Sequence, residues 1–200
     1  MEKNLADAIK DRRSYYQINS ESPVSDDKIK SIIEHVMLYA PSSFNAQSSR
    51  IVLLLGENHK RLWEIAKAEL KKVSKSEEAF QKTEQKVDTS FAAGYGTVLF
   101  FEDQTTIKGL QEMFPAIPEK FTQWSEHSSA IVQILTWMGL ESVGFGASLQ
   151  HYNPLIDEAV KKEWKLNQDW ELIAQMPFGT PMSEPAEKTY MPIEDRLFVF

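Results

Sequence analysis

The chain has 200 residues, 42% hydrophobic and 26% charged, a composition suited to one sizeable globular core and too short for two full domains. Its formal net charge of −7 argues against general nucleic-acid binding, which needs a basic footprint to displace counterions from phosphates. Cysteine is missing altogether, which excludes disulfides, thiolate nucleophiles, iron–sulfur ligation and cysteine-based zinc sites together.

The first fourteen residues, MEKNLADAIKDRRS, contain no apolar h-region, and the longest aliphatic run is Ile51 to Leu55. Neither a signal peptide nor a membrane span is expected, and a cytoplasmic location is. Residues 3–11 read as a short helix with Leu5, Ala8 and Ile9 on one face, leading into Arg12-Arg13-Ser14-Tyr15-Tyr16. Ser25 is placed to cap the next helix, with Asp26 and Asp27 complementing its dipole, and Pro41 ends that helix near Ala40. Pro41 to Arg50 is a polar loop set between an apolar helix and the core strand 50–55. The spacing predicts a helix over Glu57–Val73, solvated helix or loop over 71–90, and a second core strand over Thr97–Glu102.

Residues 103–121 read as turns and short helices. Trp124 to Leu140 is a strongly apolar helix with Ile131, Ile134, Leu135 and Met138 along one side. Gly144–Gln150 is a turn and a short extended piece, and Asn153-Pro154 opens a helix to about Trp164. Glu171–Met176 is a third strand, ended by Pro177, and the chain finishes in the strand-like Leu197-Phe198-Val199-Phe200. The expectation is a single α+β domain over residues 1–200, helices outnumbering strands.

Several chemistries lack their signatures. The four histidines form no His-x-x-x-His pair, so no metal site is expected. No nucleophile elbow or Walker lysine motif occurs. The pattern begun by Gly94 and Gly96 precedes a strand instead of following one, the wrong order for a dinucleotide fingerprint. An enzyme of this kind would take its chemistry from a cofactor. Of the five arginines (Arg12, Arg13, Arg50, Arg61 and Arg196), four lie beside the polar or aromatic clusters. Their planar forks suit an anion, with surface ion pairing as the alternative for any one of them.

Arg12-Arg13-Ser14, then Pro41-Ser-Ser-Phe-Asn-Ala-Gln47 before a strand, Gly144-Phe-Gly-Ala-Ser-Leu-Gln-His-Tyr152, Met176-Pro-Phe-Gly179, and Lys188 through Arg196 occur in that order. Together they resemble the nitroreductase family of flavoproteins across the whole chain, most of all its short branch related to the fatty-acid-repression proteins. The resemblance implies a nitroreductase-like fold, a mostly antiparallel central sheet flanked by helices, in an FMN-dependent homodimer whose subunits share active sites. By the same resemblance, Arg12, Arg13 and Ser14 hold the phosphate and ribityl chain. Lys188 and Arg196 are candidates for the phosphate from the tail. Ser42, Ser43, Asn45 and Gln47 line the flavin, commonly that of the partner, and Leu149, Gln150 and His151 run along it with a backbone N–H near N5.

Tyr16 stands where many relatives carry a basic residue, and Arg50 is the candidate to make up that charge. Phe114, Phe121 and Trp124 read as core or dimer packing, with a lid as the alternative. The implied activity is reduction of a small aromatic acceptor, nitroaromatic or quinone-type, by NADH or NADPH with ping-pong kinetics. The alternative is a flavin-binding regulatory protein with little turnover; dehalogenation or flavin destruction on the same fold is a weaker third.

Overall fold

A computed structural model describes residues 3–200, and the chain is organised around its most apolar strand. β3 (Gly96–Asp103) is buried at every position. Val98 and Phe100 enter one core and Leu99 and Phe101 the other, as a period of two requires. A strand covered on both faces loses the polar half of its pattern, which is why this stretch reads as a continuous apolar run. β2 (Ser49–Leu55) and β5 (Trp170–Pro181) flank it, both antiparallel, with Val52 opposite Leu99 and Met176 opposite Val98. β1 (Ile18–Asn19) and β4 (Gly146–Ala147) pair antiparallel with the far end of β5. The order β1-β5-β3-β2 leaves β2 at an edge.

Helices cover both faces. α2 (Asp26–Tyr39) and α6 (Pro118–Ser142) bury Ile29, Ile33, Val36, Val132, Trp137 and Leu140 against Phe100 and Met176. On the other side α3 (Glu57–Val73), α4 (Glu77–Val87) and α7 (Asp157–Glu163) bury Leu62, Trp63, Val87 and Val160 against Leu99 and Leu172. α1 (Leu5–Asp11) and α5 (Gln104–Met113) lean on α6. Ser25 caps α2 as expected, its side chain accepting from the Lys28 N–H at 3.3 Å. This is the antiparallel sheet flanked by helices that the resemblance implies.

Residues 103–121 hold a short helix, α5, a turn and the start of α6, as expected. Three local expectations need correcting. Residues 71–90 are not simply solvated: α4 buries Phe80 and Val87, and a π-helical turn over Asp88–Ala92 buries Phe91. Pro177 does not end the third strand. Its carbonyl accepts from the Ser148 N–H at 3.3 Å, and β5 passes through to Pro181. Leu197–Phe200 forms no strand; all four residues are exposed, and the Leu197 N–H donates back to the Ile193 carbonyl at 2.9 Å.

The apolar stripe of α6 also faces an unexpected way. Ser125, Ser128, Ser129, Gln133, Thr136 and Glu141 lie on the buried side, whereas Ile134 and Leu135 remain 39% and 36% exposed. Small polar residues let the sheet and neighbouring helices come close. Gly139 shows the same demand, since a Cβ there would meet the Ile32 side chain at 2.6 Å.

Candidate functional site

Asn4 caps α1 by accepting from the Asp7 N–H at 3.0 Å, and the helix ends at Arg12, whose backbone turns extended. The chain then runs beside β4: Tyr15 N–H donates to the Ala147 carbonyl at 2.9 Å, and Ser14 bridges Ala147. Gly146 permits this approach, because a Cβ there would lie 2.8 Å from the Tyr15 ring. The Arg12 guanidinium sits 4.4 Å from the centre of the Trp137 ring. Burial, and then the neighbouring Arg13 charge, push its pKa down. No side chain among the described residues offers it a carboxylate. A part-buried cation with no counter-charge among the described residues, in a chain of net charge −7, is half of an anion site. Arg13 adds a second guanidinium and donates to the Ala186 carbonyl, which draws the start of the tail to the same corner.

Ser148 to His151 continues from β4 along β5. Gln150 and Gln175 exchange both backbone bonds, at 2.7 and 2.9 Å. Antiparallel alternation therefore turns the N–H groups of Leu149 and His151 away from β5. Gln175, fully buried, holds this segment in place: its Oε1 accepts from the Tyr152 N–H at 2.7 Å and its Nε2 donates to Asn153 Oδ1 at 3.3 Å. The Gln150 side chain donates to Ser148 Oγ at 3.0 Å, so it is committed locally, whereas His151 is exposed.

The polar loop is the most constrained piece of backbone. Phe44, Asn45 and Gln47 have φ of 56°, 51° and 48°, a region costing a side-chain-bearing residue about 1–2 kcal/mol. Such geometry survives only where the surroundings over-determine it, and here they do. Ser42 Oγ accepts from the Gln47 N–H at 3.0 Å. Behind the loop, the buried Glu102 carboxylate accepts from Ser48 Oγ at 2.6 Å and from Ser49 Oγ at 2.5 Å. Burial raises the Glu102 pKa, opposed by those two bonds and by Arg50.

Arg50 is not a spare cation. Its fork donates to the Gln47 and Ser49 carbonyls at 2.7 and 3.0 Å and to Asp103 at 2.7 Å. The expectation that it makes up charge at an anion is therefore corrected: it locks the loop to β3. Phe44, in turn, packs on Phe114, Phe121 and Trp124 with ring centres 5.0, 5.5 and 5.9 Å away.

The sequence-predicted residues thus fall into two groups. Arg12, Arg13 and Ser14 meet the segment Leu149, Gln150 and His151 around β4. Ser42, Ser43, Asn45 and Gln47 sit elsewhere, since Phe44 touches α6 at Trp124 while Arg12 touches it at Trp137, roughly 20 Å further along the axis. In the tail, Lys188 lies two residues beyond the Ala186 carbonyl held by Arg13, its ammonium 5.3 Å from the Tyr190 ring centre. Arg196 is exposed and in none of these contacts. Trp137, Gln175 and Glu102 position the site residues and were not singled out from sequence. The lone amide in Leu172-Ile-Ala-Gln-Met176 was the readable signal for Gln175. No group of three His, Asp or Glu that could hold a metal occurs among the described residues, and none of their helices is long and apolar enough to cross a membrane.

Comparison with known proteins bears on this geometry. The model of the nitroreductase family matches residues 9–180. Nitroreductase FRM2 of Saccharomyces cerevisiae is 33% identical over 190 residues, 94% of this chain and 93% of that protein. The structure of nitroreductase CinD from Lactococcus lactis in complex with chloramphenicol superposes with a TM-score of 0.90 at 38% identity, over 98% of this chain and all of that one. A protein from Exiguobacterium sibiricum solved in complex with FMN shares the fold, with a TM-score of 0.72 over 99% of this chain and 98% of that one, at 15% identity.

Proposed function

The chain belongs to the nitroreductase family, and on that premise we propose that it is an FMN-dependent oxidoreductase. It takes electrons from NADH or NADPH and passes them to nitroaromatic or quinone-type acceptors. The observation that carries the reading is the Arg12 guanidinium, laid on Trp137 with no carboxylate among the described residues and with Arg13 beside it. The donor set fits FMN: two guanidiniums and the Ser14 hydroxyl for the phosphate end, and outward N–H groups at Leu149 and His151 for a ring edge. Lys188 follows the carbonyl held by Arg13 and is a further candidate for the phosphate; Arg196 would have to reach it from a partner.

When bound, FMN supplies hydride chemistry that no side chain here provides. The protein binds, orients and excludes water, with donor and acceptor using one cleft in turn, which gives ping-pong kinetics. CinD holds chloramphenicol, and in another structure 4-nitrophenol; both carry a nitroaromatic ring, which supports that acceptor class. A cytoplasmic location goes with the nucleotide supply this reading requires.

The working unit is a homodimer. One chain keeps the Ser42–Gln47 loop far from the Arg12 corner, so the loop serves the partner's cofactor. The outward stripe of α6, with Leu38 and Tyr39 of α2 at 76% and 71% exposure, gives an interface. The exposed tail Leu197–Phe200 and the open edge of β2 are two halves of a strand pairing that one chain leaves unmade. Removing residues 197–200 is therefore expected to shift dimer towards monomer in sedimentation equilibrium, with an unchanged distribution refuting the tail's role.

The test of function is the visible spectrum of the purified protein, followed by anaerobic titration with NADH and NADPH. A yellow protein bleached by one of the nucleotides is expected. A colourless protein that cannot be reconstituted with FMN would end the proposal. Flavin that neither nucleotide bleaches would favour a binding protein with little turnover.

A further inference from the structure

We propose that Phe44 sets acceptor specificity by giving planar aromatic rings a face to stack on, a role resting on the flavoenzyme reading above. Phe44 is 59% exposed, yet it occupies a left-handed backbone position (φ 56°, ψ 22°) that disfavours a bulky side chain. Glycine or asparagine would hold that turn without strain, so the ring is retained against the local preference.

Its setting suggests what the ring does. The backbone beneath it is fixed by the Ser42–Gln47 bond, by the Arg50 fork and by the Glu102 grip on Ser48 and Ser49. One side of the ring is braced on Phe114, Phe121 and Trp124; the rest is open. Ser43 and Asn45 on either side are the residues proposed to line the flavin. A braced aromatic with an open side, next to a planar cofactor, selects planar aromatic ligands by offset stacking, whereas an acceptor without a ring gains nothing from it.

The experiment uses the FMN-loaded protein. Phe44→Asn keeps the left-handed backbone and removes the ring, Phe44→Leu keeps the apolar contact with Phe114, and Phe44→Tyr keeps the ring. The Kd of 4-nitrophenol, read from its perturbation of the bound flavin's visible band, is expected to rise about tenfold in Phe44→Asn and Phe44→Leu. Phe44→Tyr should restore it to within about twofold. The ratio of kcat/KM for 4-nitrobenzoate to that for ferricyanide should fall by a similar factor in the first two variants. Equal losses for both acceptors, an unchanged 4-nitrophenol Kd, or conversion of dimer to monomer would overturn the proposal and make the ring a structural or interface contact. A wild-type protein that binds no FMN would instead overturn the flavoenzyme reading itself.

Discussion

Arg12→Met and Arg13→Ala are each expected to bind FMN about ten- to a hundredfold more weakly than the wild type, while riboflavin binding changes little. The magnitude follows from removing a charge-assisted hydrogen bond to a dianionic phosphate, worth about 1.5–3 kcal/mol. Methionine is the informative choice at position 12. The Arg12 guanidinium is laid on Trp137 at 4.4 Å, so its stem also packs, and alanine would confuse lost packing with lost charge. Arg13 has no such platform, and its contact with the Ala186 carbonyl leaves the rest of its fork to a ligand. Equilibrium dialysis of FMN and riboflavin against each variant measures the selectivity for phosphate. If either variant keeps the wild-type FMN Kd, that arginine is not in the site. If both ligands weaken together, the arginine acts on the fold and not on the phosphate.

The corner holding those arginines was legible in the sequence because its residues are chemically unusual there. Two adjacent arginines after a short helix, in an acidic chain with only five, are conspicuous whatever the fold. The Ser42–Gln47 loop was visible for the same reason, as polarity between a helix and a core strand. What escaped was everything that depends on which way a side chain faces. Arg50 looked like Arg12 in sequence, yet the β2–β3 register sets Arg50 opposite Phe101, beside the Ser49–Glu102 pair, and its fork is taken by Asp103 and two carbonyls.

The same blindness explains α6 and the tail. A stripe of Ile131, Ile134, Leu135 and Met138 reads as a core face, because periodicity gives a helix its apolar side and not the identity of what covers it. The sheet instead takes the side bearing Ser125, Ser129 and Thr136, and Ile134 and Leu135 on the apolar side stay partly exposed. Leu197–Phe200 has strand composition without a strand to pair with. In both places the pattern would be satisfied by the homodimer proposed above.

Between pH 6.5 and 4 the wild-type protein is expected to change little in stability, and Asp157→Asn is expected to uncover a steep acid loss. The loss comes from His59, which is 2% exposed and part of a chain of bonds with only one consistent polarity. The Ala92 carbonyl, 3.2 Å from Nε2, can only accept, so Nε2 carries the proton of the neutral ring; Nδ1 then accepts from the Thr97 hydroxyl at 2.8 Å, whose oxygen accepts from Trp63 Nε1–H at 3.1 Å. Protonating Nδ1 would strand that hydroxyl. Burial above all, opposed by the Ala92 bond and helped by Lys60, lowers the His59 pKa from 6.5 to about 4. The folded state prefers neutral His59, so this stabilisation is complete above pH 6.5 and is lost as pH falls towards 4. It amounts to about 3 kcal/mol.

Asp157 works the other way. Burial, with Glu171 and Glu158 and against Lys161, raises its pKa from 3.8 to about 6. The fold therefore disfavours its charged form, and stability is regained as pH falls from 6 towards 3.8, by at most ~3 kcal/mol. Glu102, also raised, acts in the same direction in both proteins and drops out of the comparison. Urea unfolding at pH 7 and pH 4.5 decides the matter. Asp157→Asn should lose roughly 2–3 kcal/mol more than the wild type over that interval, and His59→Gln should show the reverse difference. Parallel losses in wild type and Asp157→Asn would mean that His59 and Asp157 do not oppose each other as the fold requires.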